Sequence, residues 1–484
     1  MDALERDALE VLCLVRTVKN SFAPISRIPP EVLSLIPDFF DEENKDGDLI
    51  ASTHVCRDWR DVLTSRPSLW TQPDFKNIDK TRAYIQRSQS SPLKLYLGDS
   101  KVTNDAFTLV IPHIRRLKSL TIHANALPSV LRHFRCHAPL LEKFDMYISR
   151  ITQPILDGAL FDGDFSSLRE LRLRRVITDF PWKNLANLQV VEIRSYSHAY
   201  GMVQLLNFFE SAPLLHTVTL EYSRLDTSDA PPERMVPLRH LKVFDINTNS
   251  SNLILLHRLH IPAGASLISK FELYGDESSL LDYLPERSPN FSNLSHITTI
   301  NLLFHGCQNF VRLSGPSGSL RVLAERISHY LSSSFILPSF GPSILSTTQR
   351  LTISRYTHSG PHCAILQTLS FMDHLRTLTL IECDEQPFTL SLDPEQRSSV
   401  LCSNMEELIL YAKPWGEGLN VECLIRMAKN RASRGAKLSS ITIVSRYGLP
   451  QGRNLFELRK YVTRLDYRVD ETRPAWDDIP CGSE

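Results

Sequence analysis

The chain has 484 residues with 54 basic and 54 acidic side chains, so no net field draws it to nucleic acid or an anionic membrane. No run of about eighteen apolar residues occurs, which excludes a spanning helix, and the acidic opening Met-Asp-Ala-Leu-Glu-Arg-Asp does not read as a secretory signal. Nine cysteines, odd in number and without a C-x-x-C pair, read as reduced thiols of a cytoplasmic or nuclear protein.

Residues 1–20 predict one amphipathic helix, with Leu4, Ala8, Val11, Leu12, Val15 and Val18 along a stripe and Glu5, Arg6, Asp7, Glu10 and Arg16 on the other side. The stripe is too short for a coiled coil, so it is expected to pack on the helical region that follows. That region, residues 25–75, predicts two or three short helices. Pro29 and Pro30 open the first, where a missing N–H costs nothing. Pro37 should end or kink it near Ile36, because a proline inside a helix loses a hydrogen bond and clashes with the preceding turn. The next segment carries Leu49, Ile50, Val55, Cys56, Trp59, Val62 and Leu63 at helical spacing, and Pro67 stops it before Ser68-Leu69-Trp70. Some forty residues cannot bury enough surface to stand alone.

Three pieces of this stretch occur in a known order: Ile28-Pro29-Pro30-Glu31-Val32-Leu33, then Leu49-Ile50 leading to Val55-Cys56-Arg57-Asp58-Trp59-Arg60, then Ser68-Leu69-Trp70. The order resembles an F-box, and it is similar to the F-box proteins of fungi. The resemblance implies a motif that docks on a Skp-type adaptor and so joins a cullin–RING ubiquitin ligase. It implies adaptor contacts from Pro29, Leu33, Ile36, Leu49, Val55, Trp59, Leu69 and Trp70. Pro37 and the acidic loop from Asp41 to Asp48 depart from the family's pattern. They leave open a second reading, a scaffold with a degenerate F-box and no ligase role.

From Leu93 to about residue 470 the chain repeats a unit L-x-x-L-x-L followed by a helical or irregular return. Units start at Leu117, Leu141, Leu168, Leu188, Leu215, Leu241, Ile268 and Ile297, with steps of 20 to 29 residues. After a gap of about two units they resume at Thr348, Leu375, Met405 and Leu438. This period is that of leucine-rich repeats. The expected fold is therefore α/β: a short all-α F-box, then a repeat solenoid over 92–470 with a curved parallel sheet and helical returns. A polar tail, 471–484, follows. The segment from Gly306 to Ser346 breaks the rhythm and predicts an excursion loop with a helix near Leu320–Leu331.

No catalytic constellation emerges. Gly315-Pro316-Ser317-Gly318-Ser319 lacks the spacing and lysine of a phosphate loop. His133, Cys136 and His137 lack the further ligands a metal needs. No enzyme activity, cofactor or metal is expected. Between the inward leucines of each strand, alternate residues face the open side of the sheet. Tyr147, Arg172, Arg174, Arg194, Tyr274 and Tyr411 lie there and are expected to hold a protein substrate, the arginines as a basic patch. The expected partners are the adaptor, the cullin–RING ligase and an unidentified target, with no nucleic acid and no membrane.

Overall fold

The computed structural model describes residues 3–41, 44–98, 104–123, 131–148, 155–156, 159–178, 184–228, 234–273, 296–305, 308–316, 318–326, 342–356, 364–396, 399–413, 419–445 and 455–469. Tyr274 and the polar tail lie outside them. The chain divides into two compact units, Met1–Leu188 and Gln189–Glu484. A helical N-terminal region precedes a mixed α/β body built on a large sheet.

The first unit opens with α1 (Ala3–Ser21), α2 (Pro30–Leu35), a 3-10 turn (Ile36–Phe39), α3 (Lys45–Thr53) and α4 (Arg57–Thr64). A second 3-10 turn (Pro67–Trp70) and α5 (Ile78–Ser88) complete the helical region. Helix α2 ends at Leu35, one residue before the expected Ile36, and Pro37 lies in the first residues of the tighter turn Ile36–Phe39, where its missing N–H is harmless. The segment expected as one helix from Leu49 to Leu63 is two, because Cys56 is fully extended between α3 and α4. Asn77 caps α5 by accepting hydrogen bonds from the Asp79 and Lys80 amides at 3.0 and 3.1 Å.

Helix α1 does not pack as expected. Its apolar stripe is open to solvent, Leu4 by 82%, while the core of the helical region is filled by Leu49, Trp70 and Tyr84 with Phe40 and Leu69 against them.

Strands β1 (Leu93–Leu97), β2 (Leu117–His123), β3 (Lys143–Tyr147) and β5 (Glu170–Arg174) follow as parallel neighbours in chain order. The short strands β4 (Ile155–Leu156) and β6 (Ile177–Thr178) pair beside them. Leu120, Phe144 and Leu171, which stand opposite one another on β2, β3 and β5, are all buried and point inward.

The second unit continues with β7 (Val190–Gly201), β8 (Thr217–Asp226), β9 (Val236–Pro237), β10 (Val243–Asn249), β11 (Leu259–His260) and β12 (Ser266–Leu273). Next come β13 (Thr299–His305), β14 (Gln308–Gly315), β15 (Gly318–Arg326), β16 (Arg350–Ser354), β17 (Thr377–Ile381), β18 (Glu407–Tyr411), β19 (Ser440–Ser445) and β20 (Arg464–Val469). The sheet order is β7-β8-β10-β12-β15-β14-β13-β16-β17-β18-β19-β20, and β9 pairs with β11 separately. All neighbours run parallel except β14, which is antiparallel to both β13 and β15.

Two expectations are corrected here. The stretch from Leu320 to Arg326 is strand, not helix. Pairing with β12 on one side and β14 on the other overrides its local preference. The gap between Ile297 and Thr348 therefore holds a back-and-forth of three strands rather than two further repeats. In addition, β12 begins at Ser266, so Leu267 and Ser269 are buried while Ile268 faces outward. Gly315 belongs to this hairpin for a steric reason: a Cβ there would lie 1.9 Å from the His296 carbonyl oxygen.

The returns cover the inward face. The helix Met202–Ser211 buries Leu205, Leu206, Phe208 and Phe209, and the helix Val421–Ser433 buries Leu424, Met427 and Arg431. Arg431 is wholly buried, with no carboxylate partner among the described residues. It donates to the carbonyls of Leu401 at 2.7 Å and Cys402 at 2.9 Å, satisfying a turn that helix and strand leave open. Burial lowers its pKa. Gly435, at φ +79°, ends this helix in the left-handed conformation that glycine adopts without strain.

Two substitutions test this core by urea denaturation. Leu171→Ala should cost about 2 to 5 kcal/mol, because it opens a cavity between two strands. Arg431→Met should cost about 1 to 3 kcal/mol for each carbonyl left dry. Parent-like midpoints in both variants would place these side chains outside the core.

Candidate functional site

The surface of the helical region follows from what its core removes. Trp70 is completely buried; its indole N–H donates to the Leu63 carbonyl at 2.9 Å. The Tyr84 ring meets it edge-on at 4.9 Å, and the Arg87 guanidinium lies 4.3 Å from the indole centre. Asp46, in the first turn of α3, accepts hydrogen bonds from the Tyr84 hydroxyl and from Lys80, which also pairs with Asp74 at 3.3 Å. These contacts fasten α3 and α5 around the Trp70 turn. Burial lowers the Lys80 pKa, but Asp46 and Asp74 outweigh it and the net shift is upward. The Lys94 amide donates to the Thr71 carbonyl, and Arg116 donates to the carbonyls of Ser88 and Ser91, so the helical region is tied to β1 and β2.

Helix α2 is held by Arg66, which donates to the Ser34 carbonyl and pairs with Asp38 at 3.1 Å. Arg60 bridges α4 to α3 by donating to the Thr53 carbonyl at 3.0 Å. With Leu33 and Pro37 turned inward, Val32, Leu35 and Phe39 remain exposed at helix-like spacing, Phe39 by 87%. Val55, at the break between α3 and α4, and the paired prolines Pro29 and Pro30 are also exposed. Exposed apolar side chains clustered in so short a segment mark an interaction surface.

Of the adaptor-facing residues inferred from sequence, Leu33, Leu49 and Trp70 are buried in the unit's own core. Ile36, Trp59 and Leu69 are half-buried, and Pro29 and Val55 are exposed. Within residues 25–76, Leu35 and Phe39, which the sequence reading did not count among the adaptor contacts, are with Val32 and Val55 the most accessible large apolar groups. Their spacing from Val32 was the available signal.

The open face of the sheet is the other candidate surface. In the first unit Tyr96, His123 and Tyr147 form an aromatic ladder across β1 to β3, with ring centres 5.5 and 5.8 Å apart. Tyr147 stands opposite Arg174. Arg172 is 3.7 Å from Glu170, which Lys143 also approaches at 3.4 Å. In the second unit Arg194 contacts Glu192 at 2.8 Å and Glu221 at 3.8 Å. Asn247 donates to Glu221 at 2.8 Å. Arg172 and Arg194 thus stand beside carboxylates rather than as bare cations. Tyr411 is half-buried on β18, beside Ile381. His137, set aside above as a metal ligand, is engaged with Asp164 at 2.7 Å.

Among the described residues no helix is long and apolar enough to cross a membrane. The model of the family described as F-box-like matches residues 25–76, the segment whose surface is built above. Domains of this family generally bind Skp-type adaptors. No curated protein matches the chain.

Burial, reinforced by Asp46, raises the Tyr84 phenol well above its ordinary value near 10. Unfolding releases that phenol to ionise, so its contribution to stability is complete below about pH 10 and is lost as the pH rises further. Burial also raises the Tyr200 and Tyr222 phenols, so absorbance titration of the parent should show several tyrosines that ionise only on unfolding, and Tyr84→Phe should remove one of them. An unchanged number of late-titrating phenols would place Tyr84 at the surface.

Proposed function

We propose that this chain is a substrate-recognition subunit of an SCF-type cullin–RING ubiquitin ligase. The F-box-like segment docks a Skp-type adaptor, and the repeating body, a leucine-rich-repeat solenoid, holds a target protein on its open face. The mechanism is proximity. The chain fixes a target beside a separate conjugating enzyme and raises its effective concentration there, so no side chain here acts as acid, base or nucleophile. The observation that carries the reading is the coincidence of the family match at 25–76 with the exposed row Val32, Leu35 and Phe39 on a region held rigid by Trp70. Burying each of these side chains against a partner would contribute about 1.5 to 3 kcal/mol.

A second reading has its own observation. Leu33, Leu49 and Trp70 serve the unit's internal core, leaving less apolar surface for an adaptor and favouring a scaffold with a degenerate F-box. Co-purification of the full chain with a Skp-type adaptor and cullin separates the two. Leu35→Ser with Phe39→Ser should weaken adaptor binding by about a hundredfold, two decades at 1.4 kcal/mol each, without lowering the melting temperature. Adaptor capture indifferent to the double substitution would move the docking surface elsewhere. A folded parent that captures no adaptor would favour the scaffold.

A further inference from the structure

Helix α1 runs for 19 residues with Leu4, Val11, Val15 and Val18 open to solvent, and Phe22 is open in the turn after it. Its end is fixed to that turn: the Asn20 carbonyl accepts from the Ala23 amide at 2.9 Å and from the Ser26 hydroxyl at 2.7 Å. A helix of this length is marginal in water by itself, because most helical stability in proteins comes from burying an apolar face. The core of the helical region is already filled by Leu49, Trp70 and Tyr84, so the face of α1 is left for a partner.

Leu4, Ala8, Val11, Val15, Val18 and Phe22 follow one another at alternating steps of four and three residues. That spacing is a coiled-coil seam, and it runs from one end of α1 to the other. Leu12 and Leu14 flank the seam and are exposed as well. Among the large apolar side chains exposed on the helix, Leu9 alone stands outside it. The charges of the helix are segregated. Glu5, Asp7 and Glu10 outnumber Arg6 in its first half, whereas the second half carries only Arg16 and Lys19.

We propose that α1 pairs with α1 of a second copy of this chain, antiparallel and related by a two-fold axis. Side by side in one direction, acid would meet acid, base would meet base, and Ala8 would face Ala8 across a gap. Reversed, the acidic half of each helix lies along the basic half of the other, and the two macrodipoles are opposed. The seam then sets Leu4 against Phe22, Ala8 against Val18 and Val11 against Val15 of the other copy, each contact made twice by symmetry. Glu5 and Lys19 flank the seam on the same side of the helix, so each Glu5 meets Lys19 of the second copy. The seam is short for a parallel coil, but Phe22 lengthens it and the charges close both ends. Pairing leaves Val32, Leu35 and Phe39 unused, so it stands independently of adaptor docking.

The test is the mass of the full chain in solution, by sedimentation equilibrium over a range of concentrations. The parent should pass from the 55.2 kDa of one chain toward twice that value as the concentration rises. Val11→Asp with Val15→Asp should weaken association by about a hundredfold or more and hold the mass at that of one chain. Both side chains are exposed in the single chain, so the near-ultraviolet circular dichroism of this variant should match the parent. Orientation is read from charge. Glu5→Lys and Lys19→Glu should each weaken association about tenfold, because each sets like charges together twice. Combined in one chain they should restore most of the loss, which a simple drop in helix stability would not do. A parent that stays at the mass of one chain, or a dimer untouched by the Val11 and Val15 substitutions, would overturn the inference. A dimer indifferent to either charge reversal would overturn the antiparallel arrangement. A monomeric parent that captures a Skp-type adaptor, and loses it with Val11→Asp and Val15→Asp, would assign this face to the adaptor instead.

Discussion

One row of side chains holds the second unit together. Val191, Val218, Phe244, Leu267, Leu320, Leu313, Ile300, Leu351, Leu378, Leu408 and Ile441 stand opposite one another from strand to strand, and all are buried. Each fills the space between its neighbours, so no strand has a core of its own. Leu120, Phe144 and Leu171 make the same arrangement in the first unit. A protein built this way is stabilised by contacts between successive elements, and a defect in one is felt by the two beside it.

The helical region obeys a related constraint at smaller scale. It is too short to bury a core unaided, and it resolves this by using Trp70 as a shared centre. Leu49 reaches that centre from α3, Tyr84 and Arg87 from α5, and Leu63 supplies the carbonyl that the indole needs. Fastening α5 to β1 and β2 through Arg116 and Lys94 then joins the region to the sheet of the same unit. What is left outside is the apolar row on α2 and its following turn. A docking surface therefore sits on a backbone whose position the interior has already decided, which reduces the ordering cost of binding.

The open face of the sheet is governed by charge rather than packing. Where strands follow one another in parallel, acids and bases on neighbouring units fall opposite each other and form exposed pairs of small energetic value. The antiparallel hairpin of β14 and β15 disturbs that spacing. It brings Arg312 and Arg321 opposite each other, with Asp245, in the same row, two strands from Arg321.

Much of the architecture was readable from the chain. The alternation L-x-x-L-x-L placed the strands from β1 to β19, apart from β14, β15 and the two-residue strands β4, β6, β9 and β11, within two residues of their observed starts, because a period of two with buried leucines has few other ways to bury them. Pro37 located the end of α2 by steric exclusion alone, and the order of proline, tryptophan and leucine motifs marked out the segment that the F-box-like family matches. Long-range pairing decided the rest. The strand at Leu320 was invisible because its partners lie more than fifty residues before it and in a hairpin whose return only the folded sheet requires. Which of Leu33, Leu35, Ile36 and Phe39 would face solvent depended on where Trp70 and Phe40 filled the interior. Periodicity says that a side chain has a buried face to seek. Only the neighbours brought to it by the fold decide whether that face is already taken.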